Sequence, residues 1–154
     1  MTVATAPGHD LSLCLPDLKS KKKDAALAEM VLAASGAGLV SGAGLLLETL
    51  KLRERLGTTG LGKGVALPTA RSLTIVQPRI LVARSTRGID WQASDRAPVH
   101  LVLLTLAPAG WSDDAYHALL GRAAASARLQ RTRQKLLSAP SVQGLALAFR
   151  EAMG

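Results

Sequence analysis

Leu27, Met30, Val31 and Ala34 recur at i, i+3, i+4 and i+7, the spacing of one apolar helix face, and Ser35-Gly-Ala-Gly38 then breaks the period. With Ser20 offering a cap, a first helix is predicted from Ser20 to about Ala34. A second, over about 43–55, carries Leu46 and Leu50 and stops at Gly57, a residue suited to the left-handed position after a helix. Between Met30 and Leu47 there is no charge, which is long enough to raise a membrane span. Gly36, Gly38, Gly42 and Gly44 interrupt it, and two packed helices joined by a short turn explain the run better.

Beyond Gly57 the period changes. Val65-Ala-Leu-Pro68 reads as a short strand, with Arg71 to Ile75 continuing or pairing with it, and Ile80-Leu-Val-Ala83 as another. Gly88 to Gln92 reads as an edge strand or turn, and Ser94 to Pro98 as a loop. Val99 to Leu106 is almost unbroken in its apolarity, so it must be covered on both faces, as a central strand of an α/β sheet is. Ser112, followed by Asp113 and Asp114 at the positive end of the dipole, starts a helix to about Leu129. Two more follow near 131–138 and 142–153, parted by Ala139-Pro140 and restarted at Ser141. Residues 1–18 read as an irregular arm with one short strand at Leu11 to Leu15, and 19–154 as a single domain. The expected fold is a three-layer α/β/α sandwich with a mixed central sheet.

At 154 residues, 48% hydrophobic and 19% charged, the chain is globular rather than disordered. Its net charge of +8 invites a nucleic-acid reading. The cations instead form two blocks, Lys19 to Lys23 and Arg122 to Lys135, without interleaved aromatics to stack on bases and without a helix-turn-helix or finger pattern. An acidic or phosphorylated protein suits such surfaces better than nucleic acid. The single cysteine, Cys14, excludes an intramolecular disulfide and a cysteine zinc cage, and fits a reducing compartment. With no signal peptide, the chain is expected to be cytoplasmic and not inserted in a membrane. No metal-ligand cluster and no cofactor motif stand out.

Candidate chemistry concentrates in Gly57-Thr-Thr-Gly-Leu-Gly-Lys-Gly64, four glycines in eight residues. As a P-loop it fails in its last letter, because Gly64 stands where Ser or Thr would hold magnesium. The order is also reversed: a helix precedes the loop and a strand follows, so the negative helix end faces it. The glycines can serve turn geometry alone. A small-anion or nucleotide sensor in the same loop is a further alternative.

The contiguous stretch Arg53-Glu-Arg-Leu-Gly-Thr-Thr-Gly-Leu-Gly-Lys-Gly-Val-Ala-Leu-Pro68 resembles the signature of type 2 IIA domains of the phosphoenolpyruvate-dependent phosphotransferase system, the fructose/mannitol and nitrogen-regulatory branch. Weaker resemblances lie at Lys21 to Glu29, Gly88-Ile-Asp-Trp91, Asp95-Arg-Ala-Pro-Val99 and Tyr116-His-Ala-Leu-Leu120, so the likeness runs from about 20 to about 150. It implies the α/β/α fold, and partners such as the histidine-containing phosphocarrier protein, potassium-transport systems or sensor kinases. It also implies a phosphoacceptor histidine directly after the proline, where this chain has Thr69. An imidazole can receive a phosphoryl group and pass it on, whereas a threonine ester is stable and does not hand it on. A degenerate domain that regulates by binding protein follows, with an active carrier using His117 as the alternative. His117 matches, within one residue of register, the family histidine that assists at the site. Arg53 matches the family arginine near the acceptor, and is equally readable as a helix-end cation. Arg71 is a second candidate anion-holder, and Thr58, Thr59, Gly60 and Gly62 are the candidate binding residues of the loop. Of the remaining histidines, His9 reads as solvated and His100 as a hydrogen-bonded strand residue.

Overall fold

The structure is a computed structural model describing residues 4–5 and 12–154; Leu11 and His9 lie outside the described residues. Its elements are β1 (Ala4–Thr5), β2 (Ser12–Leu15), α1 (Lys23–Gly36), α2 (Ala43–Leu56), β3 (Gly60–Gly62), β4 (Val65–Ala66), β5 (Thr69–Ser72), β6 (Arg79–Ile89), β7 (Val99–Pro108), α3 (Asp113–Ser126), α4 (Gln130–Ser138) and α5 (Val142–Met153). They build one mixed sheet in the order β1-β2-β6-β7-β4-β3, with β5 also on β7. β2 runs parallel to β6, β6 antiparallel to β7, and β4 and β5 both parallel to β7.

The apolar run of β7 is divided between two cores, as its central position requires. Val102, Leu104 and Leu106 join Leu27, Met30, Leu46 and Leu50 on the α1–α2 side. Leu101, Leu103 and Ala107 join Leu119, Leu136, Leu145 and Phe149 on the α3–α5 side. The period-2 alternation of β2 and β6 sorts in the same way, with Leu13, Leu15 and Leu81 on the first side and Cys14, Ile80 and Val82 on the second. The uncharged stretch divides into α1 and α2, and no helix among the described residues is long and apolar enough to cross a membrane.

Four local expectations are corrected. The core reaches into the segment read as an arm: β2 pairs with β6, and Leu13, Cys14 and Leu15 are fully buried. Ser20 does not cap α1, whose N-cap is Lys22 with no side-chain cap bond. Ser20 instead donates from Oγ to Glu29 Oε1, in the middle of α1, at 2.8 Å. β6 does not stop at Ala83 but runs to Ile89, carried past a register shift that Gly88 accommodates at φ +90°. The third helix ends at Ser126 rather than Leu129. Ser126 Oγ donates to Ala123 O at 2.6 Å, and Arg133 Nη1 donates to the carbonyls of Ala127 and Arg128 at 2.9 and 2.6 Å, which closes α3 before α4 begins.

Candidate functional site

The last turn of α2 brings Glu54 under the glycine loop, and its carboxylate is almost wholly buried. Glu54 Oε1 accepts from the Thr59 backbone N–H at 3.1 Å, and the Thr59 hydroxyl is hydrogen-bonded to Oε2. The threonine proton points at Glu54, whose carboxylate only accepts, and Trp91 Nε1 donates to Thr59 Oγ1 at 3.3 Å. A buried carboxyl needs such donors, and here both oxygens have one. Gly60 completes the closure: a Cβ there would sit 2.6 Å from Ala93 Cβ and 2.8 Å from its Cα. The loop then forms β3, which pairs antiparallel with β4, and turns back through Gly62, Lys63 and Gly64, all at positive φ.

Two further amides of this loop are bonded to side chains. Gly60 N donates to Thr58 Oγ1 at 3.0 Å, and Lys63 N donates to Asp95 Oδ2 at 2.9 Å. The bond from Lys63 N, with that of Ala97 N, holds the Asp95 carboxyl below its ordinary range. Two carboxylates of the chain itself, Glu54 and Asp95, thus each accept from a backbone amide of the loop. Arg53 folds onto its own helix end, donating from Nη1 to Gly57 O at 2.8 Å. That is the helix-end cation reading of this residue.

Past β4 the chain passes buried Pro68 and begins β5 at Thr69, whose register partner is Thr105 of β7. Alternation directs Ala70 into the α1–α2 core and leaves Thr69 and Arg71 facing α3. The Thr69 and Tyr116 hydroxyls are hydrogen-bonded to each other. Arg71 lies with its guanidinium carbon 4.7 Å from the Tyr116 ring centroid, and its Nη1 donates to Asp113 Oδ1 at 2.7 Å and Trp111 O at 3.2 Å. One arginine therefore ties the first turn of α3 to β5 and holds Tyr116 over Thr69. α3 itself starts as expected, with Ser112 Oγ accepting from Ala115 N at 3.1 Å.

The structure thus sorts the candidate residues into two clusters: Thr58, Thr59 and Gly60 with Glu54 and Trp91, and Thr69 and Arg71 with Tyr116. His117 is exposed on α3, its ring centroid 6.1 Å from that of Tyr116. The side chain that meets Thr69 is that of its neighbour, Tyr116, which a search for an imidazole passes over. A one-residue step turns a helix by about 100°, enough to move a side chain from the sheet side to solvent. His100 donates from Nδ1 to Ser85 O at 2.8 Å and is only partly buried, on a strand. Glu54 is the other residue that the sequence reading misses, although its Glu-x-x-x-x-Thr spacing joins a helix end to the loop that must close over it. Among the described residues no group of three or more His, Cys, Asp and Glu is placed to hold a metal.

A mixed sheet between two helical layers, with a helix-end glycine loop feeding an edge strand through proline, defines an α/β domain of the phosphotransferase IIA kind. Residues 10–150 match the family described as phosphoenolpyruvate-dependent sugar phosphotransferase system, EIIA 2, and the chain belongs to that family. It is 39% identical over 132 residues to the nitrogen regulatory protein of Bradyrhizobium diazoefficiens, covering 85% of this chain and 84% of that protein. It is 30% identical over 125 residues to the fructose-specific EIIABC component of Bacillus subtilis, covering 81% of this chain but only 20% of that larger protein. The crystal structure of nitrogen regulatory protein IIA-Ntr from Neisseria meningitidis superposes with a TM-score of 0.76 at 25% identity, over 88% of this chain and 92% of that one. The mannitol IIA enzyme of Escherichia coli, solved in complex with phosphorylated IIB, shares the fold at a TM-score of 0.72 and 14% identity, over 90% and 94% of the two chains.

Proposed function

We propose that this chain is a phosphotransferase IIA protein of the nitrogen-regulatory kind that no longer relays phosphate and works by binding protein partners. The observation that carries this reading is the pairing of the Thr69 hydroxyl with the Tyr116 hydroxyl at the start of β5. Transfer through this position requires a nucleophile that both accepts and releases a phosphoryl group, which an imidazole does and an alkyl hydroxyl does not. A hydroxyl paired with a phenol lacks the imidazole or carboxylate partner that would take its proton, and Asp113, at the start of α3, is bonded to Arg71. His117, on the outer side of α3, is one helical step from the position that faces Thr69.

The partner class follows from kinship. The mannitol IIA enzyme assembles with a phosphorylated IIB, and nitrogen regulatory proteins are among the relatives of this chain. A phosphocarrier, a transporter or a sensor kinase is the corresponding class of target, in the cytoplasm. With Thr69 in place, binding resembles that of a permanently unphosphorylated IIA domain and does not respond to phosphoenolpyruvate.

The test is incubation with phosphoenolpyruvate, enzyme I and the histidine-containing phosphocarrier protein, followed by intact-mass measurement and phosphosite mapping under conditions that preserve phosphohistidine. The expected result is a labelled carrier and an unlabelled chain. Label on Thr69, or label on His117 that disappears in His117→Ala, rejects the reading.

A further inference from the structure

Most of the chain's excess positive charge sits at its carboxyl end. Residues 121–154 hold six cations (Arg122, Arg128, Arg131, Arg133, Lys135 and Arg150) against one acid, Glu151, and so carry +5 of the net +8. Arg133 and Lys135 have partners: Arg133 Nη1 is spent on the carbonyls that follow α3, and Lys135 Nζ donates to Glu151 at 2.7 Å. Lys135, and after it Arg150, hold the Glu151 carboxyl below its ordinary range. Arg122, Arg128 and Arg131 are exposed and enter no ion pair among the described residues. The other acids of this layer stand in the first turn of α3, where Asp113 is taken by Arg71 and Asp114 lies eight residues, about 12 Å along the helix, before Arg122. Arg131 falls in the first turn of α4, which holds no acid and has no side-chain cap, so the helix dipole does not account for a cation there. Arg131 and Lys135, one turn apart, line an open cleft of about 430 Å³ with Ala148, Glu151 and Ala152 of α5. With Lys135 and Glu151 neutralising each other, Arg131 leaves this cleft positive.

We infer that the α4–α5 cleft, with the Arg128 turn that leads into it, is a docking surface for an acidic segment of a partner protein, whose carboxylates pair with Arg128 and Arg131. Charge complementarity selects this occupant. Duplex nucleic acid and an anionic bilayer present unbroken arrays of negative charge, which the exposed Glu151 inside the cleft opposes. A polypeptide can set a neutral residue against Glu151 and its acids against the arginines. No ring is offered to stack on bases, because Trp91 and Phe149 are buried and Trp111 and Tyr116 pack against the core. A second copy of the chain would bring its own +8 to the interface. The surface extends the proposed function, which leaves the partner's chemistry open, and holds whether or not the chain relays phosphate.

The experiment titrates the full chain into a short fluorescein-labelled peptide of alternating glutamate and alanine, read by anisotropy at low salt. Saturable binding that weakens as salt rises is expected, with none for the same peptide carrying lysines. Arg128→Glu with Arg131→Glu should weaken binding about tenfold or more, while circular dichroism shows the fold intact. Lys21→Glu with Lys22→Glu lowers the net charge equally, from +8 to +4, and should weaken it about twofold or less. In the unchanged chain, amide shifts induced by the peptide should cluster at 128–135 and 148–152 in NMR spectra. Absence of saturable binding, equal loss in the two paired variants, or amide shifts confined to α1 and α2 overturns the inference. So does tighter binding to duplex DNA, or to phosphatidylserine/phosphatidylcholine vesicles, that is lost in the arginine variant. The assay contains no phosphotransferase component, so its failure leaves the Thr69 reading standing, and phosphorylation of the chain leaves this surface standing.

Discussion

Replacing Glu54 by glutamine changes one oxygen to nitrogen at the point where α2 closes the glycine loop. The carboxylate accepts from two donors of one residue, the backbone N–H and hydroxyl of Thr59, and the hydroxyl must be the donor because a carboxylate oxygen only accepts. An amide has one acceptor oxygen, so whichever way the new side chain turns, its NH₂ group opposes one of Thr59's donors. Lys23, 3.7 Å away, loses its charge partner as well. Thr59 is only 5% exposed, so water does not rescue the orphaned donor. One buried donor without an acceptor costs about 1–3 kcal/mol, and a chain of this size loses about 2–4 °C in Tm per kcal/mol. Glu54→Gln should therefore lower stability by about 2 kcal/mol and Tm by about 4–8 °C in urea and thermal unfolding. A double-mutant cycle with Thr59→Val should return a coupling energy of about 1 kcal/mol or more. A glutamine variant within about 0.5 kcal/mol of the parent would show that the loop does not depend on this carboxylate.

Gly60→Ala places a methyl against the Ala93 backbone and should cost about 2–3 kcal/mol by overpacking, seen as an earlier urea midpoint with an unchanged m-value. Burial pushes the Cys14 thiol up to about 11 from 9.0, so it should resist Ellman's reagent at pH 8 in the native protein and react at once in urea. Because the folded chain then holds its thiol proton after the unfolded chain has lost it, stability should fall as pH rises from about 9 to about 11; a Cys14→Ala variant flattens that slope. Arg71→Met releases the first turn of α3 from β5 and should cost about 1–2 kcal/mol, with hydrogen exchange accelerated at Tyr116 rather than in α5.

The layers are readable from sequence because they rest on burial. The unbroken apolarity of Val99 to Leu106 requires cover on both faces, and the interrupted period around Ser35-Gly-Ala-Gly38 separates two helices where hydropathy alone offers a span. Less accessible are features decided by a single tertiary contact. Ser20 has the right chemistry for a cap, but Glu29 competes for both its backbone N–H and its hydroxyl. α3 ends where the guanidinium of Arg133, on the next helix, reaches the carbonyls that follow it, and nothing local at Leu129 announces it. At the candidate site the family signature leads to Thr69 directly. Which side chain stands over it, however, depends on a helical phase that residue type does not encode, and the exposed position belongs to the histidine.

β7 is the strand on which β6, β4 and β5 all assemble, yet it occupies residues 99–108. During synthesis β4, β5 and β6 therefore emerge before the strand they share, although β2 already has its partner once β6 is made. Nascent chains shorter than this point carry the leucines of α1 and α2 without Val102, Leu104 and Leu106, the central-strand residues that complete their core, and such exposed apolar surface is what holding chaperones bind.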